Sequence, residues 1–383
     1  MKPAIEVADV LDAHWPQVEQ WPSINGWQLR TLSAVRRCRT AALGSHVDGC
    51  SSCGHLRISY NSCRNRHCPK CQGQQRERWI QAREAELLPV PYFHVVFTLP
   101  DTLHPLCLHQ PAVMYNMLFD AVWDTVNSFG KDPKWLGAQT GMISILHTWG
   151  QTMTLHPHLH CIVPGGGLTK QHKKWRTAKS DGKYLFNVKA MSSVFRGKFI
   201  AQLKEHLPGQ IPVTLLNSLY KQQWVVYAKE PFESPHSVIE YLGRYTHKIA
   251  ISNHRLQKQE AGKVDFTYKD YKHGSVTKTM QLDGMEFIRR FSMHILPKGF
   301  VRIRHYGILS SSSKHKCAEK IKGQLPAIKI PAYIKPKAKR EPYNPKQCPC
   351  CKKETMQTIM HFTDRPPPVY WQQLSTDLLN ATV

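Results

Sequence analysis

The sequence predicts an α+β protein organised on a largely antiparallel sheet. Three observations carry this: runs of β-branched and aromatic residues such as Tyr92 to Leu99 (YFHVVFTL), helical apolar spacing between them as in Met191 to Leu207, and a hairpin-like turn at Glu260 to Gly262. Helices laid on a sheet bury both kinds of apolar surface in one core.

Taken in order, residues 1 to 45 read as two short helices, with apolar spacing at Ile5, Val7, Val10 and Leu11 and again at Leu29, Leu32 and Val35. Cysteines then replace periodicity. Gln74 to Leu88 reads as a charged amphipathic helix closed by Pro89 and Pro91. Beyond the strand at Tyr92, a helix is expected around Ala112 to Ser128. Further strands are expected at Gly141 to His147, His158 to Val163, Tyr184 to Val188, Gln223 to Tyr227, Lys248 to Asn253 and Val264 to Tyr268. Further helices are expected at Met191 to Leu207, Ser237 to Tyr245 and Met285 to His294. After Leu309, lysines and prolines with few acids predict a basic tail carrying a small cysteine cluster. The expected domains are residues 1–88 (helices and a zinc-binding region), 89–310 (the α+β core) and 311–383 (the tail).

With 52 Lys and Arg against 27 Asp and Glu, the net charge is +25. Such a surplus implies a polyanionic partner, because these side chains displace counterions condensed on phosphates. Nucleic acid fits. A membrane does not, since no apolar run approaches the roughly 18 residues of a spanning helix. Met1 to Gln20 carries Glu6, Asp9, Asp12 and Glu19 without an apolar stretch, so no signal peptide is read there. The expected location is the cytoplasm, in association with the nucleoid. In that reducing compartment, twelve cysteines point to metal ligation rather than disulfides.

Cys50-Ser-Ser-Cys53, then fourteen residues, then Cys68-Pro-Lys-Cys71 has the spacing of a two-knuckle zinc ribbon. Four thiolates would close a tetrahedral shell around a structural Zn²⁺. Cys63 and His67 lie between the knuckles as substitutes for one of the four, or as partners of Cys38 and His46 in a second site. Cys348, Cys350, Cys351 and His361 offer ligands for another zinc, with a surface tail as the rival reading.

On a strand from His158 to Val163, His158 and His160 project from one face, because side chains alternate with period two. Paired imidazoles on a rigid strand begin a metal site. Gln151, seven residues earlier, is the expected third ligand through its carbonyl oxygen, with His147 and His156 as competitors. Three ligands leave positions open for catalysis. The Gly165-Gly166-Gly167 run permits close backbone approach.

Tyr241 and Tyr245 stand at i and i+4 of an expected helix, so both phenols share a face. Without the histidines, packing of two aromatic residues on a sheet would be the strongly favoured reading. With the histidines they describe a reaction in which a phenol attacks a phosphodiester polarised by a metal ion, giving a 5′-phosphotyrosine and a free 3′-hydroxyl. That bond conserves energy for rejoining, so no ATP site is required. No Walker A pattern occurs.

Four stretches, HVDGCSSCGHLRISYNSCRNRHCPKCQ (46–72), GQTMTLHPHLHCIVPGGGL (150–168), YLGRYTHKIAISN (241–253) and RFSMHILPKGFVRIRHYGIL (290–309), resemble the HUH endonucleases. Within them the chain is similar to the rolling-circle transposases of the insertion sequence ninety-one family. The resemblance implies an HUH core, a central antiparallel sheet flanked by helices. It implies a catalytic Mg²⁺ or Mn²⁺ held by His158 and His160, with Gln151 in the less secure third place, and Tyr241 and Tyr245 as nucleophiles. The implied substrate is single-stranded DNA at element ends and target, and a homo-oligomer is left open. Two alternatives are a rolling-circle replication initiator of the same chemistry and a non-catalytic zinc-ribbon DNA-binding protein.

Overall fold

The computed structural model describes residues 5–72, 87–169, 174–179, 185–232, 249–325, 344–363, 365–371 and 373–374. Three helices open this chain, α1 (Val7–Ala13), α2 (Trp15–Glu19) and α3 (Gly26–Arg36), followed by strands β1 (Ser45–Cys50) and β2 (Leu56–Tyr60). Strand β3 (Tyr92–Thr98) leads through α4 (His104–His109) and α5 (Pro111–Lys131) to β4 (Gly141–Trp149), β5 (Leu155–Pro164), β6 (Gly166–Leu168) and β7 (Trp175–Thr177). Then come α6 (Val188–His206), α7 (Val213–Lys221), β8 (Val226–Phe232), β9 (Leu256–Glu260), β10 (Lys263–Asp270), β11 (Val276–Asp283) and α8 (Gly284–Ser292). Strand β12 (Ile303–Gly307), helix α9 (Lys314–Lys322) and strand β13 (Met356–Phe362) complete the set.

The sequence suggests three consecutive domains, whereas the residues gather into two compact units assembled from separated stretches. One comprises 1–78, 251–295 and 337–383, the other 79–250 and 296–336. Both units join stretches that are far apart in the sequence.

The second unit is built on a five-stranded sheet in the order β12-β4-β5-β3-β8, antiparallel at every step. Its central strands are almost wholly buried. That is why they read as continuous apolar runs rather than alternating ones. One face, with Phe93, Val95, Phe97, Leu146, Leu159, Cys161 and Val163, forms the main core with α5 and α6. Pro111 starts α5, where a missing N–H costs nothing, and Met114, Leu118 and Val122 repeat at the four-residue spacing that buries one stripe. The opposite face carries Tyr92, Ile143, Ile145 and Ile162 against Ile308, Leu309 and Ile321.

Helix α6 begins at Val188, three residues before its expected start, because the Asn187 side chain accepts the Ala190 N–H at 3.0 Å. This cap removes the strand expected at 184–188. Leu185 and Phe186 enter the core from a bend instead. Gly166 and Gly167 line a close backbone approach: a Cβ on Gly167 would stand 2.5 Å from the Gln139 carbonyl oxygen. The glycine run is thus explained by packing.

In the first unit, β13-β1-β2 form one antiparallel sheet and β11-β10-β9 a second. Glu260 pairs with Lys263 across Ala261 (φ 48°) and Gly262 (φ 74°), a two-residue turn whose positive φ values match the twist of a hairpin. No strand covers 249–253; buried Asn253 instead accepts the Val7 N–H at 3.1 Å with its side chain, which holds the start of α1. The expected tail also contributes structure, since β13 pairs with β1 from Ser45↔Phe362 to Cys50↔Met356. The expected helices at 74–88 and 237–245 lie almost entirely or entirely outside the described residues. Among the described residues no helix is long and apolar enough to cross a membrane.

Candidate metal centres

Strand β5 is the middle strand of the second unit's sheet, and its register fixes which side chains meet. His158 stands opposite His147 of β4 and Thr98 of β3; His160 stands opposite Ile145 and Val96. Paired residues of an antiparallel sheet share a face, and so do residues two apart on one strand. His94, His147, His158 and His160 therefore all project from the face opposite α5 and α6. Their ligating atoms converge accordingly: one nitrogen from each of His147, His158 and His160 lies within 4.8 Å of the others.

Two hydrogen bonds orient this group. His158 Nδ1 donates to the His156 carbonyl at 2.6 Å, and His160 Nδ1 lies 2.9 Å from His94 Nε2. Each uses the ring's Nδ1 and leaves its Nε2 for the cluster. The two Nε2 atoms face one another at 3.2 Å. Two lone pairs so placed are stable with a cation between them. Two nitrogens bound to one ion at about 2.1 Å, at angles of roughly 90° to 109°, stand about 3.0 to 3.4 Å apart, so the observed spacing fits. Burial pushes the His158 pKa down to about 4, which keeps the ring neutral and ready to ligate near pH 7. His147 is buried and stacks on Trp149, with ring centroids 4.6 Å apart.

The expected third ligand, Gln151, sits half-buried in the turn between β4 and β5. His147, named as its competitor, is the residue that the ladder brings against His158 and His160. His156 contributes its backbone carbonyl to His158. His94 was not singled out by sequence reasoning; its signal would have been the register of β3 against β5, which no spacing reveals. Tyr241 and Tyr245 lie outside the described residues.

The cysteines also sort differently from their spacing. Cys50, Cys53, Cys68 and Cys71 do not share one group. Cys68 and Cys71 join Cys38 and Cys63, whereas Cys50 and Cys53 meet Cys348 and Cys351. The reason is the β1–β2 hairpin. Cys50 and Cys53 flank its tip, while the chain leaving β2 returns to the other end, where the Arg39 N–H bonds the Asn61 carbonyl at 3.0 Å. Five residues of strand separate the two ends by roughly 17 Å.

In the first group Sγ of Cys71 stands 3.6 Å from that of Cys38 and 3.7 Å from that of Cys63. Zinc–sulfur bonds of about 2.3 Å in a tetrahedron place sulfurs about 3.8 Å apart, so these four fit Zn²⁺. Hydrogen bonding from Cys63 draws the Cys38 thiol down to about 7, and backbone N–H groups of Cys63 and Asn65 point at sulfurs. Cys63, read from the sequence as a substitute for one of the four, lies in this group. His67 is buried but is not one of the four. His46 bonds Asn61 at 3.2 Å and is not one of the four.

Residues 10–99 match a family model described as "Transposase zinc-binding domain", and residues 141–316 match one described as "Putative transposase". The chain is 41% identical to "Putative transposase y4qJ" of Sinorhizobium fredii, across 96% of this chain and 98% of that protein. It is 27% identical to "Transposase for insertion sequence element IS801" of Pseudomonas savastanoi pv. phaseolicola, across 85% of this chain and 82% of the relative. No solved structure matches it significantly.

Proposed function

The chain belongs to the insertion sequence ninety-one family of transposases and carries that family's zinc-binding domain near its N-terminus; from this premise we propose that it nicks and rejoins single-stranded DNA at the element's ends with a tyrosine nucleophile. The observation that carries the reading is the convergence of His147, His158 and His160 on the middle of an antiparallel sheet.

In this reading the three neutral imidazoles hold a divalent cation, and His94 and the His156 carbonyl hold two of them in the ligating tautomer. When bound, Mn²⁺ or Mg²⁺ would supply Lewis-acid polarisation of the scissile phosphate. The phenol oxygen of Tyr241 or Tyr245 attacks phosphorus and loses its proton. The bond to the 3′-oxygen breaks, that oxygen leaves as a hydroxyl, and a 5′-phosphotyrosine remains. An ordinary phenol has a pKa near 10, so attack at neutral pH requires local stabilisation of the phenolate; Arg244, His247 and Lys248 are the cations nearest in sequence. The second tyrosine is available to open a second phosphodiester. A 3′-hydroxyl then reverses the first step, releasing tyrosine and sealing the strand without ATP. The +25 net charge suits a DNA substrate.

The test is covalent capture. Labelled single-stranded oligonucleotides of the element ends, incubated with protein and Mn²⁺ or Mg²⁺, should yield an adduct that survives denaturing electrophoresis. Tyr241→Phe/Tyr245→Phe and His158→Ala/His160→Ala should abolish it. A full adduct yield from the double tyrosine variant contradicts the proposal.

A further inference from the structure

We propose that Cys50, Cys53, Cys348 and Cys351 hold a second structural zinc ion, completing a ribbon whose two knuckles come from opposite parts of the chain. The four sulfurs form one group in the first unit. Cys50 and Cys351 are 301 residues apart in sequence with sulfurs 3.7 Å apart; Cys53 and Cys348 are 295 residues apart with sulfurs 3.6 Å apart. These are the edges of a tetrahedron about 3.8 Å on a side, the shape four thiolates take around Zn²⁺.

The backbone supplies an independent observation. Each pair is a Cys-x-x-Cys turn, and the two turns are built alike. The Cys50 N–H donates to the His55 carbonyl at 2.9 Å, and the Cys348 N–H donates to the Lys353 carbonyl at 2.8 Å. The Gly54 N–H returns to the Cys50 carbonyl, and the Lys352 N–H returns to the Cys348 carbonyl, both at 3.0 Å. The residue after each second cysteine is left-handed, Gly54 at φ 74° and Lys352 at φ 62°. A lysine in that conformation is strained, and a repeated knuckle geometry accounts for it. Thr355 Oγ1 lies 3.0 Å from the Cys50 sulfur, within reach to hydrogen-bond a ligating thiolate.

The packing around the group joins the same two parts of the chain. Strand β13 pairs with β1, and Asp48 of β1 takes the Thr358 hydroxyl at 2.7 Å and the Arg57 guanidinium at 2.8 Å. Arg57 also donates to the Pro345 carbonyl at 3.0 Å. The apolar packing there is small, Cys50, Cys348 and Met356 with Cys351 beside them and a second cluster of Val47, Leu56 and Phe362, so the two distant segments share only a limited core. A zinc ion closing this long loop supplies a further constraint, and each thiol gives up its proton on binding.

The experiment is zinc counting on the full chain, using a mercurial that displaces thiolate-bound zinc and a dye that reads the released metal. Wild type should release two zinc ions per chain. Cys348→Ser/Cys351→Ser should release one, and Cys350→Ser, at an exposed cysteine outside the group, should release two. Cys348→His guards against a variant that fails to fold: it should keep two zinc ions and add a nitrogen to their first shell in X-ray absorption. One zinc from wild type, two from Cys348→Ser/Cys351→Ser, or an all-sulfur shell in Cys348→His would overturn the assignment. These readouts involve no DNA, so they stand apart from the cleavage reading.

Discussion

Nε2 of His94 lies 2.9 Å from Nδ1 of His160, so a buried imidazole on one strand sets the tautomer of another imidazole on the next. Carboxylates and carbonyls usually take this orienting role, and such partners typically change metal affinity by roughly 10- to 100-fold. His94→Phe should therefore weaken Mn²⁺ binding by about that factor, measured by calorimetry, with the fold intact by circular dichroism. His94→Gln, whose carbonyl oxygen can still accept from His160, should recover part of the loss. Equal affinity in wild type and His94→Phe would remove the residue from the site.

His147 and Gln151 compete for the third ligand position. The β4–β5 register places His147 opposite His158, so His147→Ala should abolish measurable Mn²⁺ binding while Gln151→Ala leaves it within a few-fold of wild type. The reverse ranking would restore Gln151 to that position.

Burial lowers the His158 pKa from 6.5 to about 4. Below pH 6.5 the unfolded chain binds a proton there that the folded chain refuses until about pH 4, so this group's contribution to stability is lost as pH falls through that window. The metal-free protein should show a urea midpoint that drops between pH 7 and pH 5, and less steeply in His158→Gln. An NMR titration in which the His158 ring protonates near pH 6.5 contradicts this.

For Asp48 the shift has the same sign, but its cause differs and its window lies at lower pH. Burial works to raise its pKa, but hydrogen bonds from Thr358 and Arg57 outweigh it, and the net shift is downward. Its contribution is complete above the unfolded value near 4 and is lost only as pH falls below it. Asp48→Asn should cost about 2 kcal/mol, constant from pH 8 to pH 5 by urea denaturation. A gap that closes already between pH 8 and pH 6 would show that another group is responsible.

Some of this was legible in the sequence for stated physical reasons. His158 and His160 could be placed on one sheet face because alternation with period two is local, and YFHVVFTL could be placed as a strand because a sheet covered on both faces leaves a continuous apolar run. The third imidazole was ambiguous because Gln151 and His147 both stand close to the hairpin turn, and only the ladder register separates them. His94 was silent, being 66 residues from His160. The cysteine pairs misled because fourteen residues between two Cys-x-x-Cys turns suit one shared ion, yet five of those residues form a strand that carries the pairs apart. The partner strand Met356–Phe362 was hidden in a segment whose lysines and prolines read as a tail.

The central claim, the proposed strand cleavage by Tyr241 or Tyr245, is tested most directly by mapping the covalent adduct. Wild-type protein is reacted with single-stranded element-end DNA and Mn²⁺, digested with nuclease and protease, and sequenced by tandem mass spectrometry. A nucleotide joined through its 5′-phosphate to Tyr241 or Tyr245 is the predicted result. A nucleotide on any other residue, or cleaved DNA with no protein-linked nucleotide, would contradict it.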